Sequence, residues 1–577
     1  MQDKQTQLAI DCATTAHSAF GRYNAEFNAI TRRARQRFEQ RNWLASQRDQ
    51  VERIELYQHS IDETVKALRA QAQEFSANES FWAEVKQQYA ILTANNLDQE
   101  FPKTYFNSLT RKFFDTVGVN RNIEFVSFAD NPSEEIPKKV PRNVYRGPDP
   151  KLVAREILMD FAFSVPYRNA AHCLHLLADE ISQELKSRQQ TDDFQHVELI
   201  RAVFYQSKKA YLVGRTVTSN QSIPLVIALK NFDGVAIDAV LQDTNAVSIL
   251  FGFSRTYMHV DLDTVADVVA FLRTILPEKP ISELFTVLGR AKQGKTERYR
   301  DLFRHLARSE DQFVHAPGTK GMVMIVFTLA SYDAVFKVIR DKFAPPKAMR
   351  KQDVMNKYQL VFTHDRAGRL VDAQEFRMLE FDLCTFSADV LTELQQEASE
   401  SIEVQENKLI LKHCYIERRI EPLNLYLRRH SHDQAVEAVI DYGQALRDLA
   451  RSNIFPGDLL LKNFGVTRNN RVIFYDYDEL CLLNECNFRD LPKAQNIEQE
   501  MQSDTWFFVD QNDVFPEQFV QFLGLPRELL NVFLEHHDEL LTAEYWRTLQ
   551  TRIANGELLE VLPYYRTRTL HRPDEAM

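Results

Sequence analysis

Through residues 1–130, apolar side chains recur at helical spacing with charges between them, as in DQVERIELYQHSIDETVKALRAQAQEF. That period gathers the apolar set on one face, so this region is expected to form amphipathic helices. Residues 131–150, NPSEEIPKKVPRNVYRGPDP, hold five of the chain's twenty prolines. Fixed φ and missing N–H groups exclude a helix and predict an extended connector, on which Lys138, Lys139, Arg142 and Arg146 are solvated. Helical patterning resumes over 151–206. The runs AYLVGRTVT, SIPLVIALKN and VAIDAVLQD, separated by SNQ and FDG turns, then predict a β-rich insert near 210–260. Helices return at LDTVADVVAFLRTIL, ISELFTVL and TERYRDLFRHLARSE. Near residue 311 the texture changes to turn and strand: HAPGTKG, MVMIVFTL, then AVFKVIR. The expectation is an α+β chain, with a mostly helical domain over 1–310 and a second domain over 311–577.

Composition narrows the classes. With 44% hydrophobic residues in 577, the chain can bury a core, which excludes disorder as its main state. A net charge of −11 argues against nucleic acid or an anionic membrane as a bulk partner. The apolar run Met322–Ala330 is too short to span a bilayer, and the N-terminus lacks the pattern of a signal peptide. The six cysteines are dispersed without a CxxC, as expected of free thiols in a reducing cytoplasm. Cys481 and Cys486 have no second Cys/His pair near them in sequence, and His172, Cys173 and His175 lie on an apolar helix pattern, so neither group reads as a metal site. Glycine is scarce, 16 residues against a usual share of about 7%. Its clusters therefore mark backbone positions that other residues could not hold.

Two such clusters suggest nucleotide chemistry. Gly289–Thr296 fits G-x4-G-K-S/T, but the ISELFTVL before it reads as helix where a P-loop needs a strand, and no Walker-B aspartate follows. A helix–helix loop is the expectation. The second signal is distributed. Ala316, Pro317, Gly318, Thr319, Lys320, Gly321 and Met322 form a glycine-bearing turn into a strand, and the next strand carries Lys337 among Val335, Phe336, Val338 and Ile339. A half-buried ammonium there calls for an anionic partner such as a nucleotide phosphate. Further on, Asp458 and Asn463 stand five apart after a long helix. Asp476 and Asp478 close the strand RVIFYDYDEL. Two carboxylates and an amide oxygen in that order suit a base for a hydroxyl nucleophile and a hard cation on phosphates. The order is that of the protein-kinase core, a bilobal fold, with Pro456-Gly457-Asp458 in place of His-Arg-Asp and Asp476-Tyr477-Asp478 in place of Asp-Phe-Gly. No helix glutamate is evident for the lysine in KAMRKQDVMNKYQLVFTHDRAGR.

The strings APGTKGMVMIVFTL, FKVIRDKFAPPK, HDRAGRLVDAQEF, YIERRIEPLN, NIFPGDLLLKNFGV and FYDYDE, with KKAYLVGR and FGFSRTY earlier, resemble the bacterial isocitrate dehydrogenase kinase/phosphatase family. The resemblance runs through most of the chain and is densest over 312–490. It implies a helix-rich regulatory domain followed by a kinase-like one. It also implies a bifunctional enzyme that phosphorylates and dephosphorylates a serine of isocitrate dehydrogenase, setting flow between the citric acid cycle and the glyoxylate bypass. Residues 316–322 and Lys337 match its ATP positions, and Asp372 its active-site aspartate. By its own sequence context Asp372 reads as a helix cap or surface residue. AMP between the domains is a further implication.

The expected roles follow. Asp458 takes the serine proton, Asn463 and Asp476 hold Mg²⁺, Lys337 and Lys462 neutralise phosphate, and the backbone of Tyr415–Glu421 reads adenine. The phosphatase direction shares the site, with ADP or ATP present and Asp478 and Asp372 assisting. The polar segment 484–508 is a candidate substrate contact. A non-catalytic pseudokinase and a P-loop ATPase using Gly289–Thr296 are the alternatives.

Overall fold

The computed structural model describes residues 2–126, 140–147, 149–191, 193–252, 257–345, 347, 349–364, 366–492 and 507–564. Lys138 and Lys139, residues 253–256 of FGFSRTY, and residues 493–506 of the polar segment lie outside the described residues.

The first helices are α1 (Gln2–Glu39), α2 (Trp43–Ala72), α3 (Glu79–Thr93) and α4 (Glu100–Phe114). Their apolar stripes meet in one aromatic core that includes Phe20, Tyr23, Tyr57, Trp82 and Tyr105. A six-stranded antiparallel sheet follows: β1 (Arg142–Arg146), β2 (Phe194–Ile200), β3 (Phe204–Gln206), β4 (Lys209–Thr218), β5 (Ser222–Asn231) and β6 (Val235–Leu241), in the order β1-β2-β4-β5-β6 with β3 on β4. Along β4 and β5 alternate side chains enter different cores. Leu212 and Ile227 face α5 (Pro150–Asp160) and α6 (Ala170–Ser187), while Val213 and Val226 face the side covered by later helices. A sheet covered on both faces reads as continuous apolar runs, which is why these strands are legible. The insert expected at 210–260 is corrected at both ends. Strands begin at Phe194, where helix was expected, and end at Leu241, with α7 (Thr244–Leu250) next. Part of the proline-rich connector pairs as edge strand β1. The helices α8 (Val265–Ile275), α9 (Ile281–Val287) and α10 (Ala291–Leu306) complete this half.

The second half is bilobal. Its upper sheet contains β7 (Phe313–His315), β8 (Met324–Leu329), β9 (Ala334–Ile339), β10 (Gln374–Asp382), β11 (Ile402–Gln405) and β12 (Lys408–Arg418), ordered β10-β12-β9-β8-β7 with β11 on β12. The helix α11 (Lys351–His364) lies between β9 and β10 in the chain, and α12 (Ala388–Glu397) between β10 and β11. The lower lobe is built on α13 (Leu423–Arg429) and α14 (His432–Arg451), with short strands Glu421–Pro422, Phe464–Val466 and Val472–Phe474 in one antiparallel sheet.

One buried charge group fixes the lower lobe. Arg369, 1% exposed, donates from Nε to Asp448 Oδ2 at 2.8 Å and from Nη1 and Nη2 to Asp441 at 2.7 and 2.9 Å. The same guanidinium reaches Val472 O at 2.9 Å, and Val472 N donates to Asp441 at 2.6 Å. Helix α14 and the strand leading to Asp476 are thereby joined. Burial alone would raise the Asp441 carboxyl, but Arg369 holds it below the ordinary range. At the other end, Tyr564 returns to the first sheet, where its hydroxyl accepts from Lys209 at 2.8 Å beside Asp238, and Glu560 pairs with Lys230 at 2.8 Å.

Arg369→Leu strands two buried carboxylates, and we expect a loss of about 3–5 kcal/mol in the stability of the lower lobe, read as a lowered urea midpoint. Because the Asp441 pKa is depressed in the folded protein, its contribution is present above the unfolded carboxylate pKa of about 4 and disappears as pH falls through the folded value. The wild-type midpoint should therefore drop in acid more steeply than that of Arg369→Leu.

Candidate functional site

The glycine-bearing turn closes over the cleft between the lobes. Ala316 N donates to Val326 O at 3.1 Å, and Gly318 has φ +131°, a backbone region suited to glycine. A Cβ added at Gly318 would lie 3.8 Å from Pro422 Cγ, so the tip of the turn stands beside the segment that joins the lobes.

Lys337 sits on β9. Side chains alternate along a strand, so Phe336 and Val338 enter the apolar core of the upper lobe and Lys337 faces the cleft. It is 6% exposed, and its ammonium meets Glu417 Oε2 at 2.7 Å and Tyr475 O at 2.7 Å. Glu417, 1% exposed, is on β12, which pairs with β9, and its Oε1 accepts from the Tyr358 hydroxyl of α11 at 3.4 Å. Burial raises the Glu417 pKa, while Lys337 opposes that shift. The missing helix glutamate is thus replaced by a strand glutamate, with the helix contributing a tyrosine. Sequence reasoning missed Glu417 because YIERRIE was read as a hinge. In fact Tyr415–Arg418 are paired with β9, so the hinge begins after Arg418.

The lower-lobe groups converge from two antiparallel segments. Phe464 pairs with Phe474, and Tyr475 N donates to Asn463 O at 3.1 Å, which sets Asn463 beside the residue preceding Asp476. Asp458 Oδ1 accepts from Leu460 N at 3.0 Å, which shapes its loop. Gly457, at φ +78°, allows that loop to lie against the later one, since a Cβ there would come within 2.3 Å of Glu479 O. The Asp476 carboxyl is raised, first by burial. Lys337, Lys347 and Lys462 pull it down and Asp458 pushes it up, so these five groups share one electrostatic environment. Asp478 is likewise raised, by burial first and then by Asp476, with Lys347 Nζ 3.9 Å from its Oδ2. Lys347, like Glu417, is a site residue the sequence did not disclose.

Asp372 follows Val371, whose N donates to Phe474 O at 3.1 Å and whose O accepts from the Tyr477 hydroxyl at 2.7 Å. The Asp372 Oδ2 accepts from Gln374 Nε2 at 3.2 Å and stands 3.9 Å from Arg298 Nη2. It lines a cavity shared with Gly252, Lys279, Arg298 and Arg418, between the two halves of the chain. The Gly289–Thr296 motif is not a strand-loop. Residues 291–306 are helix α10, preceded by helix α9, and a Cβ at Gly294 would strike Ser282 O at 2.4 Å. Its glycine is there for helix packing. Lys295 stands over the Phe376 ring, and burial lowers its pKa to about 7.

The oxygen donors Asn463 and Asp476 fit a magnesium ion, which binds through one or two carboxylates plus substrate phosphates. Among the described residues no group of three or more His, Cys, Asp or Glu is placed to hold a metal ion. Also among them, no helix is long and apolar enough to cross a membrane.

Comparison with known proteins accounts for nearly the whole chain. Residues 311–566 match the isocitrate dehydrogenase kinase/phosphatase (AceK) kinase domain, and residues 13–310 match the regulatory domain of the same enzyme. An isocitrate dehydrogenase kinase/phosphatase from Xanthomonas euvesicatoria pv. vesicatoria is 45% identical over 573 residues, covering 99% of this chain and 98% of that protein. One from Anaeromyxobacter sp. is 46% identical over 554 residues, 96% of each.

If the two glycine clusters differ as their surroundings indicate, Lys337→Met should weaken adenine-nucleotide binding by about 100-fold, the scale of one lost charge-assisted contact to phosphate. Lys295→Met should leave it within about threefold. Isothermal titration with a non-hydrolysable ATP analogue reads both.

Proposed function

Because this chain belongs to the isocitrate dehydrogenase kinase/phosphatase family, we propose that Lys337, Asp458, Lys462, Asn463, Asp476 and Asp478 form one nucleotide site serving both of its activities. The enzyme uses ATP to phosphorylate isocitrate dehydrogenase, reverses that modification, and so regulates the glyoxylate bypass. The observation that supports the site reading is the contact across the lobes: Lys337 Nζ donates to Tyr475 O at 2.7 Å, next to Asp476, and Tyr475 N donates to Asn463 O at 3.1 Å.

In the kinase direction Asp458 accepts the proton of the substrate serine as its oxygen attacks the γ-phosphoryl group. Lys337, oriented by Glu417, and Lys462 offset phosphate charge. Asn463 and Asp476 would hold Mg²⁺, which would offset the negative charge of the phosphates during transfer. The turn 316–322 covers the phosphates and keeps water out. In the phosphatase direction Asp478, which ordinary kinases replace with glycine, orients water toward the phosphoserine while an adenine nucleotide is present. Asp372 enters that scheme through the family resemblance; Arg298 and Gln374 are among its contacts. By the same resemblance AMP binds between the domains, which divide near residue 311. Cysteines that are all free among the described residues support a cytoplasmic location.

The pseudokinase reading is disfavoured by a complete set of phosphate, metal and base positions. The P-loop reading is disfavoured by the helical setting of Gly294 and Lys295. Asp458→Asn should lower serine phosphorylation of isocitrate dehydrogenase by about 10²–10⁴-fold, the usual contribution of a positioned general base, with phosphoserine counted by mass spectrometry. Removing adenine nucleotides should stop dephosphorylation. Release of phosphate at the normal rate without them would separate the two activities into different sites.

A further inference from the structure

The turn 316–322 is held at its far end by a buried arginine that the kinase pattern does not include. Arg340, at the end of β9, is 3% exposed. Its Nε donates to Gly321 O at 3.1 Å, and its backbone N donates to Val323 O at 3.0 Å. Its Nη2 donates to Glu393 Oε1 at 2.6 Å, and Nη1 reaches Glu397, both on α12. Glu393, 8% exposed, gathers two more partners: Lys320 Nζ at 2.7 Å from Oε1 and His315 Nε2 at 3.3 Å from Oε2. Burial would raise the Glu393 pKa, but Lys320 and Arg340 outweigh it and the pKa is lowered. His315 precedes the turn and Lys320 lies within it, so one carboxylate receives contacts from two points along this segment.

The helix that supplies this carboxylate is itself anchored. Val390 and Leu394 of α12 lie in the same core as Phe313, Phe327 and Phe336, and Asp341 N donates to Glu397 O at 2.7 Å. Gly321 lies close against the following strand, since a Cβ there would stand 2.6 Å from Met324 O. We propose that Arg340 and Glu393 are positioning residues that set the orientation of the Gly321–Met322 peptide and hold the turn over the nucleotide phosphates. The inference rests on the nucleotide-site reading of residues 316–322 and Lys337 given above. Exposed Lys320 adds little to the bracket, because an ion pair at 68% exposure is screened by water. The buried Arg340–Glu393 pair carries it. A loop freed from this bracket still binds the protein substrate but must be ordered when Mg-ATP binds, a cost that falls on nucleotide affinity.

The test is steady-state phosphorylation of isocitrate dehydrogenase by the full-length enzyme carrying Arg340→Ala, Arg340→Lys or Glu393→Ala, with melting temperature measured alongside. For both alanine variants the expected result is a rise of about tenfold or more in KM for Mg-ATP, with kcat within about threefold and KM for isocitrate dehydrogenase unchanged. Arg340→Lys, which keeps the charge opposite Glu393 but not the bond to Gly321 O, should fall between Arg340→Ala and wild type. If Arg340→Ala does not fold, Glu393→Gln, of nearly the same shape, carries the same expectation at about threefold. An unchanged KM for Mg-ATP in a folded variant overturns the proposal. So does an equal change in both KM values that tracks melting temperature, which would mean a purely structural role. Lys337→Met separates the two levels of the argument. If it leaves nucleotide binding intact, the site reading fails; if it abolishes binding while the Arg340 and Glu393 variants bind normally, the positioning role fails alone.

Discussion

A guanidinium with almost no access to water lies between two carboxylates at the centre of the lower lobe, and the catalytic geometry depends on it. Arg369 joins Asp441 and Asp448 of α14 to the backbone of Val472, three residues before Tyr475. Phe474 N donates to Arg369 O at 2.7 Å, and Tyr477 donates its hydroxyl to Val371 O at 2.7 Å, so the chain on either side of Asp476 is pinned to the segment around Arg369. Such a group adds little net stability over an apolar replacement, yet it is expensive to break, because any lost partner leaves a charge in a low dielectric. That asymmetry gives the segment carrying Asp476 and Asp478 a fixed address.

The same logic operates above the cleft with different residues. Lys337 is aimed by Glu417, a strand residue, with Tyr358 of α11 on the far oxygen. The next residue along β12, Arg418, faces the other way and pairs with Glu283 of α9 at 3.4 Å, while Arg298 of α10 donates to Ile416 O at 3.3 Å. Three successive residues of one strand therefore touch the first half of the chain and Lys337. The regulatory half contacts the same strand that orients the Lys337 ammonium.

Legibility followed the periodicity of each segment and the range of each contact. Strands β4, β5 and β6, covered on both faces, show as apolar runs, and the strand lysine, Asp458-x4-Asn463 and Asp476 stand out by spacing. Strands β2 and β3 were hidden because DFQHVELIRAVFYQ mixes polar and apolar positions without a clear period of two, and β2 has only the short β1 on its outer edge. Glu417 was hidden for another reason. In YIERRIE nothing local distinguishes it from Glu421, which pairs with His430 at the surface. Only the pairing of β12 with β9 assigns one of the two to Lys337. Arg340, Lys347 and Arg369 are likewise ordinary basic residues in the sequence. Their carboxylate partners are 53 or more positions away along the chain, beyond any local pattern. Gly294 and Lys295 mark the opposite case, a motif whose spacing is right and whose helical setting removes its meaning.

The central claim is that one set of oxygen donors serves phosphorylation and dephosphorylation alike. Asp476→Asn tests it most directly, with both rates measured on the same preparation of isocitrate dehydrogenase and its phosphoserine form. A shared site predicts that the two activities fall together, each by about 10²-fold or more, as expected for the loss of a principal electrostatic contact in phosphoryl transfer. Loss of the kinase with the phosphatase rate preserved would contradict the account.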